Sequence, residues 1–138
     1  MKKKIKKGFT ILELLIVIII ISILATIGFT QYKRAIEIGR RGEARSVLST
    51  LRSAEIAYHF ENPSPAPYGS IAQIGVSAPT DCASQSTHYF SYSCDNAGKC
   101  CATRCTNGGK PPPVDASEGY TTCLAVEDYF TETGYGRM

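Results

Sequence analysis

One carboxylate lies inside an apolar segment of this sequence, and its position there is the clearest indication of chemistry in the chain. Phe9 to Phe29 comprises 21 residues, of which Glu13 is the only charged one. A charge at the centre of a bilayer costs about 2.5–3.5 kcal/mol on insertion scales, and less near the end of a span. Because an acid is retained at such a position when it has a partner or a function, Glu13 marks a candidate functional site.

The segment that carries Glu13 has the length and the flanks of a membrane span. As a helix it would be about 31 Å long, which matches the thickness of a hydrocarbon core. Five lysines precede it, and the positive-inside rule predicts that they keep the N-terminus in the cytoplasm. A secretory signal fits less well, because its apolar region is only about 7–15 residues long and ends at small residues. This segment ends in Gly28-Phe29-Thr30-Gln31-Tyr32.

The residues Gly8-Phe9-Thr10-Ile11-Leu12-Glu13-Leu14, which follow Lys6 and Lys7, resemble the processing site of type IV prepilins and related pseudopilins. The resemblance implies that a prepilin peptidase cuts between Gly8 and Phe9 and N-methylates the new Phe9 amine. It also implies that Glu13 of one subunit neutralises the Phe9 amine of a neighbouring subunit in a helical filament. That pairing is physically coherent, since a buried charge is tolerated only when it is paired.

The same resemblance implies the partners and the localisation. The processed chain would be a single-pass protein of the inner membrane, surrounded by lipid, and an ATPase-driven inner-membrane assembly platform would build it into an extracellular pilus. The sequence therefore favours a structural pilus subunit. Two alternatives stay open. One is a pseudopilin or minor pilin of a type II secretion or DNA-uptake system, and the other is a monomeric membrane-anchored binding domain.

A single long helix is expected to position Glu13. The sequence predicts a cleaved basic leader at 1–8, a hydrophobic membrane or filament-core helix at 9–31 and an amphipathic continuation at 32–62, which Asn62-Pro63 ends. Apolar residues at spacings of three and four predict one packed face: Ala44, Val47, Leu48, Leu51, Ala54 and Tyr58. Four arginines are expected mostly outside this face: Arg40, Arg41, Arg45 and Arg52. Glu37 is expected to form an i,i+4 pair with Arg41.

Residues 63–138 predict a small globular head made of strands. Alternating residues indicate strands at 88–94, 99–106 and 119–126, and Asp95-Asn96-Ala97-Gly98 is a strong turn signal between the first two. Three antiparallel strands against the packed face of the helix give an α+β fold, with a long N-terminal helix on a small antiparallel sheet. Residues 127–138 have too little pattern for an assignment.

All six cysteines lie in this head: Cys82, Cys94, Cys100, Cys101, Cys105 and Cys123. An even number of cysteines in a translocated domain predicts disulfides, because so small a core needs covalent links. Cys94 is expected opposite Cys100 or Cys101 across the hairpin, and the other pairings stay open. A metal site is disfavoured, since adjacent residues on a strand point to opposite faces and would not share one ion.

The sequence predicts no enzyme, no cofactor and no metal. Its serines and threonines have no convincing His or Asp partners, His59 and His88 adjoin no cysteine, and Glu127, Asp128 and Glu132 are too sparse for a calcium site. Without its leader the chain carries ten Lys and Arg against twelve Asp and Glu. Nothing in that balance predicts a basic surface for nucleic acid.

Overall fold

The computed structural model describes residues 8–63, 68–83, 87–108, 110–111, 119–127 and 131–133. These residues form one helix, α1 (Ile11–Glu61), and an antiparallel sheet of four strands in the order β1-β2-β3-β4. The strands are β1 (Phe90–Cys94), β2 (Lys99–Arg104), β3 (Thr121–Ala125) and β4 (Thr131–Thr133). The α+β fold predicted from the sequence, with its long helix packed on a small antiparallel sheet, is confirmed.

Helix α1 is continuous over 51 residues, which corresponds to a length of about 77 Å. It begins at a capping residue, Thr10, whose hydroxyl oxygen accepts a hydrogen bond of 3.2 Å from the backbone N–H of Glu13. It ends at Asn62, whose backbone and side-chain amides both donate to the carbonyl oxygen of Tyr58. Pro63 follows, and a residue before proline avoids the helical region.

The two halves of α1 have different surroundings. Every residue from 8 to 35 is exposed, whereas one face of the second half is buried by the sheet. The predicted packed face is confirmed at Ala44, Leu48 and Leu51, which are fully buried, and Val47 packs against them. Ala54 and Tyr58 are only half-buried. Two glutamates share the buried face, and an apolar pattern does not reveal them: Glu37 and Glu55.

The sheet supplies the other side of the core. Phe90 and Tyr92 of β1, Cys100 and Ala102 of β2, and Leu124 of β3 are buried together against α1, with Tyr120 and Ile71 at the edges. The strands are slightly shorter than the predicted ranges, although hydrogen bonds continue past their ends from Cys105 to Tyr89 and from Arg104 to Tyr120. A fourth strand, β4, pairs with β3 in the region that the sequence left unassigned.

The turn between β1 and β2 follows the sequence prediction. The side chain of Asp95 accepts hydrogen bonds from the backbone N–H groups of Ala97 and Lys99, at 3.0 and 2.9 Å. Gly98 has a φ of +75°, which favours glycine. A Cβ at this position would also lie 3.0 Å from the ring of Tyr68. The turn therefore requires both the Asp side chain and the glycine.

Three disulfides link the head: Cys82–Cys105, Cys94–Cys100 and Cys101–Cys123. Cys94–Cys100 is one of the two pairings that the hairpin favours, and it joins residues that face each other in the β1–β2 register. Cys101 and Cys123 likewise face each other across β2 and β3. Because Cys100 and Cys101 are adjacent on one strand, they point to opposite faces of the sheet and enter different disulfides.

Candidate assembly site and the junction between helix and head

Gly8, Phe9 and Glu13 lie at the exposed N-terminal end of the described chain. Gly8, Phe9 and Thr10 precede the helix in a non-helical conformation. No atom lies within 4 Å of the place that a Cβ on Gly8 would occupy, and the Phe9 side chain is 75% exposed. The peptide bond between Gly8 and Phe9 is therefore open to an approaching enzyme. The leader lysines lie outside the described residues.

Glu13 lies in the first turn of α1, where the N-terminal end of a helix favours a negative charge. Its side chain is exposed. Among the described residues no cation or hydrogen-bond donor contacts its carboxylate, although its backbone N–H is held by Thr10. An acid in apolar surroundings needs a counter-charge, so that counter-charge has to come from outside the described part of the chain.

The described residues do not cover the apolar half of α1, residues 11–31. It is long and apolar enough to cross a membrane, and none of its most apolar stretch is buried. Side chains on all sides of the helix are roughly half-exposed or more, including Leu15, Ile18, Ile21 and Ile27. A continuous apolar surface of this extent indicates contact with lipid or with other protein chains.

A buried ion pair fixes the head to the second half of the helix. Glu37 is only 3% exposed. Its carboxylate accepts hydrogen bonds from Arg104 Nε at 2.8 Å and Nη2 at 3.3 Å, from the Tyr120 hydroxyl at 3.0 Å and from Arg40 Nη1 at 3.1 Å. Arg104 also donates to the carbonyl oxygens of Cys105 and Pro111. We call Glu37, Arg104, Tyr120 and Arg40 the junction.

The surroundings of the junction favour an ionised Glu37. Burial alone would raise the pKa of Glu37, but the hydrogen bond and charge of Arg104, together with Tyr120 and Arg40, lower it below the ordinary value of 4.5. Burial and the neighbouring carboxylate raise the pKa of Tyr120, which stays a proton donor. The ring of Tyr89 packs under both guanidinium groups, 3.8 Å from Arg40 and 4.9 Å from Arg104. Glu37 is thus a satisfied buried charge.

The sequence analysis missed the junction. The predicted pairing of Glu37 with Arg41 stays a prediction. The arginines were expected mostly outside the packed face, whereas Arg40 is half-buried beside the buried Glu37. Arg52 is also half-buried, and its guanidinium donates twice to the carbonyl oxygen of Val126. The sequence contained one indication that Glu37 is buried. Glu37 lies seven residues before Ala44 and therefore on the same helical face.

A second buried acid, Glu55, forms no ion pair with any residue in the described part of the chain. It is 0% exposed, and its Oε2 accepts a hydrogen bond of 3.0 Å from the Gly69 backbone N–H. Burial raises its pKa, the Gly69 hydrogen bond lowers it and the charge of Asp95 raises it, with a net upward shift. Glu55, Cys94 and Cys100 have the spacing of metal ligands, but both sulfurs are joined in a disulfide and are not thiolates.

A groove of about 300 Å³ lies between α1 and β1 and is lined by Glu43, His88, Tyr89 and Tyr92, among others. His88 Nε2 lies 2.7 Å from the carbonyl oxygen of Asp81. Burial and the Glu43 carboxylate raise the pKa of Tyr92 to about 12, so its hydroxyl is a poor nucleophile at neutral pH. Within the described residues the groove brings together no nucleophile and activating base.

Comparison with known protein families supports the resemblance seen in the N-terminal residues. A family model, the prokaryotic N-terminal methylation motif, matches residues 3–29. This motif is the signature of type IV prepilins, so the resemblance predicted from Gly8, Phe9 and Glu13 is confirmed. The match ends within the apolar half of α1 and does not include the head. No solved structure significantly matches the chain.

The junction predicts a large cost for neutralising Glu37. Glu37→Gln removes the charge that compensates the buried Arg104, and breaking a buried pair in this way costs about 3–5 kcal/mol. Urea unfolding of the full chain in detergent, followed by the near-ultraviolet circular dichroism of its tyrosines, measures the loss. Glu61→Gln, the same change at an exposed helix position, is the control and should alter stability little.

The pH dependence of stability separates the effect of the Glu37 charge from the effect of the side chain's shape. Because its folded-state pKa is lowered below 4.5, its stabilisation is present above about pH 4.5 and is lost as the pH falls through the folded-state pKa. The stability difference between the native chain and Glu37→Gln should therefore shrink on acidification. A difference that stays constant from neutral to strongly acidic pH would contradict the ionic account.

For Glu55 we expect the opposite dependence of stability on pH. Its raised pKa means that the protonated form is favoured in the fold, and that contribution is lost as the pH rises through the folded-state pKa. Relative to Glu55→Gln, which keeps an acceptor for Gly69, the native chain should lose stability as the pH rises from the ordinary value of 4.5 through the folded-state pKa. The same urea titration at several pH values measures this, and equal slopes for both proteins would refute the prediction.

Proposed function

We propose that this chain is a structural subunit of a type IV pilus. The observation that carries the proposal is an apolar half-helix, exposed on all sides, that begins with the prepilin methylation motif. It contains one acid in its first turn, Glu13, whose carboxylate has no partner among the described residues. Such a helix needs an apolar environment and a counter-charge, and neighbouring copies of the same helix provide both. The chain itself performs no catalysis in this account.

Processing by a prepilin peptidase would prepare the chain for assembly. Cleavage between Gly8 and Phe9 removes five lysines, each of which would cost about 2.5–3.5 kcal/mol at the centre of the bilayer. A chain that keeps them resists extraction toward the far side of the membrane. The cut leaves a free amine on Phe9, which a separate methyl transfer then converts to the methylated amine. The exposed position of the Gly8–Phe9 bond supports access by the enzyme.

Assembly would then pair that amine with Glu13 of a neighbouring subunit. A contact between different patches on successive copies is heterologous, and it produces an open helical filament when the rotation does not close. Transfer of the apolar half of α1 from lipid to a bundle of like helices is nearly neutral, because both surroundings are apolar. The Glu13–Phe9 pair therefore sets the register between subunits.

The partners follow from this account. Before assembly the chain is a single-pass protein of the inner membrane, and an ATPase-driven platform extracts it and adds it to the pilus on the cell surface. The methylation motif fits a pseudopilin or minor pilin equally well, and abundance separates the two. A major pilin should dominate filaments sheared from cells, as seen by electron microscopy and mass spectrometry, whereas a pseudopilin stays in the periplasm.

Removal of the Glu13 carboxylate tests the register. Glu13→Ala should be processed normally, because the cleavage site is intact, yet it should give at least roughly tenfold less filament, since an unpaired buried charge costs about 3–5 kcal/mol. Sheared filaments from cells that carry only this variant are quantified. Ser22→Ala changes another polar residue of the apolar half, whose hydroxyl bonds only to Ile18 in α1, and should assemble normally. Normal filaments from Glu13→Ala would refute the pairing.

A bulkier residue at the cleavage site tests processing. Gly8→Val should leave the leader attached, because the branched side chain fills the open space beside the cleaved bond. Intact-mass spectrometry of the membrane-extracted chain shows whether it starts at Met1 or at a methylated Phe9. Gly28→Ala alters a glycine that also has open space around it and should be cut as usual. A fully mature mass for Gly8→Val would contradict this site of cleavage.

A further inference from the structure

A cluster of aromatic and basic side chains marks the end of the apolar half of α1. Phe29 and Tyr32 are 60% and 64% exposed, and the Lys33 ammonium lies over the Phe29 ring, 4.5 Å from its centre. We call Phe29, Tyr32 and Lys33 the collar. Tyrosine is enriched at the boundary between membrane and water, and a lysine near the end of a membrane helix extends its ammonium to that boundary.

Helix geometry places the collar at the level of lipid headgroups. Lys33 follows Phe9 by 24 residues, which is about 36 Å along a helix. The hydrocarbon core is about 30 Å thick, and the bilayer with its headgroups about 40–45 Å. With Phe9 at the cytoplasmic edge of the hydrocarbon, Lys33 lies about 6 Å beyond the opposite edge. This is the layer that contains the lipid phosphates.

The charges around the span select an anionic partner for the collar. Once the leader is removed, no lysine or arginine precedes Phe9, and the first cations after the span are Lys33 and Arg34. Those cations lie on the translocated side, against the usual bias of membrane proteins. In the described residues no acid contacts Lys33, and its recorded contact is the Phe29 ring, which holds the ammonium close to the span.

We infer that the collar binds the phosphate headgroups of anionic phospholipids in the leaflet on the translocated side. The rings of Phe29 and Tyr32 pack among the upper acyl chains, and Lys33 pairs with a phosphate above them. The junction then begins only four residues further on, at Glu37, so that the head lies against the membrane surface. This inference rests on the membrane-spanning stage of the proposed function and does not need the filament.

The chain contains no tryptophan, so Tyr32→Trp places a single fluorescent reporter inside the collar. The processed full chain with this change is reconstituted into vesicles whose lipids carry bromine at known depths, which quench nearby tryptophan. The collar account predicts strongest quenching by bromines close to the headgroup. Strongest quenching at the bilayer centre would overturn it, and no quenching at any depth would overturn the membrane-spanning helix as well.

Headgroup selectivity is measured with the same reporter. Brominated phosphatidylglycerol should quench the tryptophan more than brominated phosphatidylcholine at equal mole fraction. The ratio of the affinities for these two lipids, derived from the quenching, should fall about fivefold in Lys33→Gln, the effect expected for one cation near an anionic surface. Lys99→Gln removes an exposed cation from β2 in the head and should leave the ratio unchanged.

Two results would overturn the lipid assignment while leaving the pilus subunit intact. The first is equal quenching by the two lipids. The second is quenching that varies with the ratio of protein to lipid and is insensitive to headgroup charge, which would mean that a second copy of the chain covers the collar. Filament assembly is not involved in either measurement, so the two proposals fail separately.

Discussion

A charge in apolar surroundings needs a counter-charge, and this constraint governs both halves of the helix. In the second half the requirement is met within the chain, because Glu37 is held by Arg104, Arg40 and Tyr120. In the first half Glu13 has no such partner among the described residues. The chain thus supplies a counter-charge for Glu37, where α1 meets the head. No described residue supplies one for Glu13, in the exposed half of α1.

This difference separates the half of α1 that holds the head from the half that we propose for assembly. The junction attaches the head to the second half of α1, where Leu48 and Leu51 are fully buried beneath the sheet. The described residues of the first half contribute nothing to that core, and in the proposed function this half exchanges lipid for protein neighbours. Disulfides stabilise the small head independently of the helix, since all three lie within residues 82–123. The residues that stabilise the head are therefore separate from those that we propose for assembly.

The sequence predicted what depends on local spacing. The Gly8–Glu13 motif, the packed face around Leu48 and the turn at Asp95 could all be read from a few neighbouring residues. The Glu37–Arg104 pair could not, because its partners are 67 residues apart and the periodicity of α1 does not name a partner on β2. The hairpin narrowed the partner of Cys94 to Cys100 or Cys101, whereas Cys82–Cys105 depends on the path of an irregular segment. Strand β4 has only three residues and no distinctive pattern.

In the proposed filament, a neighbouring copy of this chain supplies the counter-charge of Glu13. A cryo-electron microscopy structure of filaments isolated with this chain as their main subunit tests it most directly. The account predicts a chain that starts at Phe9, with its amine nitrogen within about 4 Å of the Glu13 carboxylate of a neighbouring subunit, the distance of an ion pair. A filament whose subunits begin at Met1, or in which Glu13 faces only apolar side chains, would contradict it.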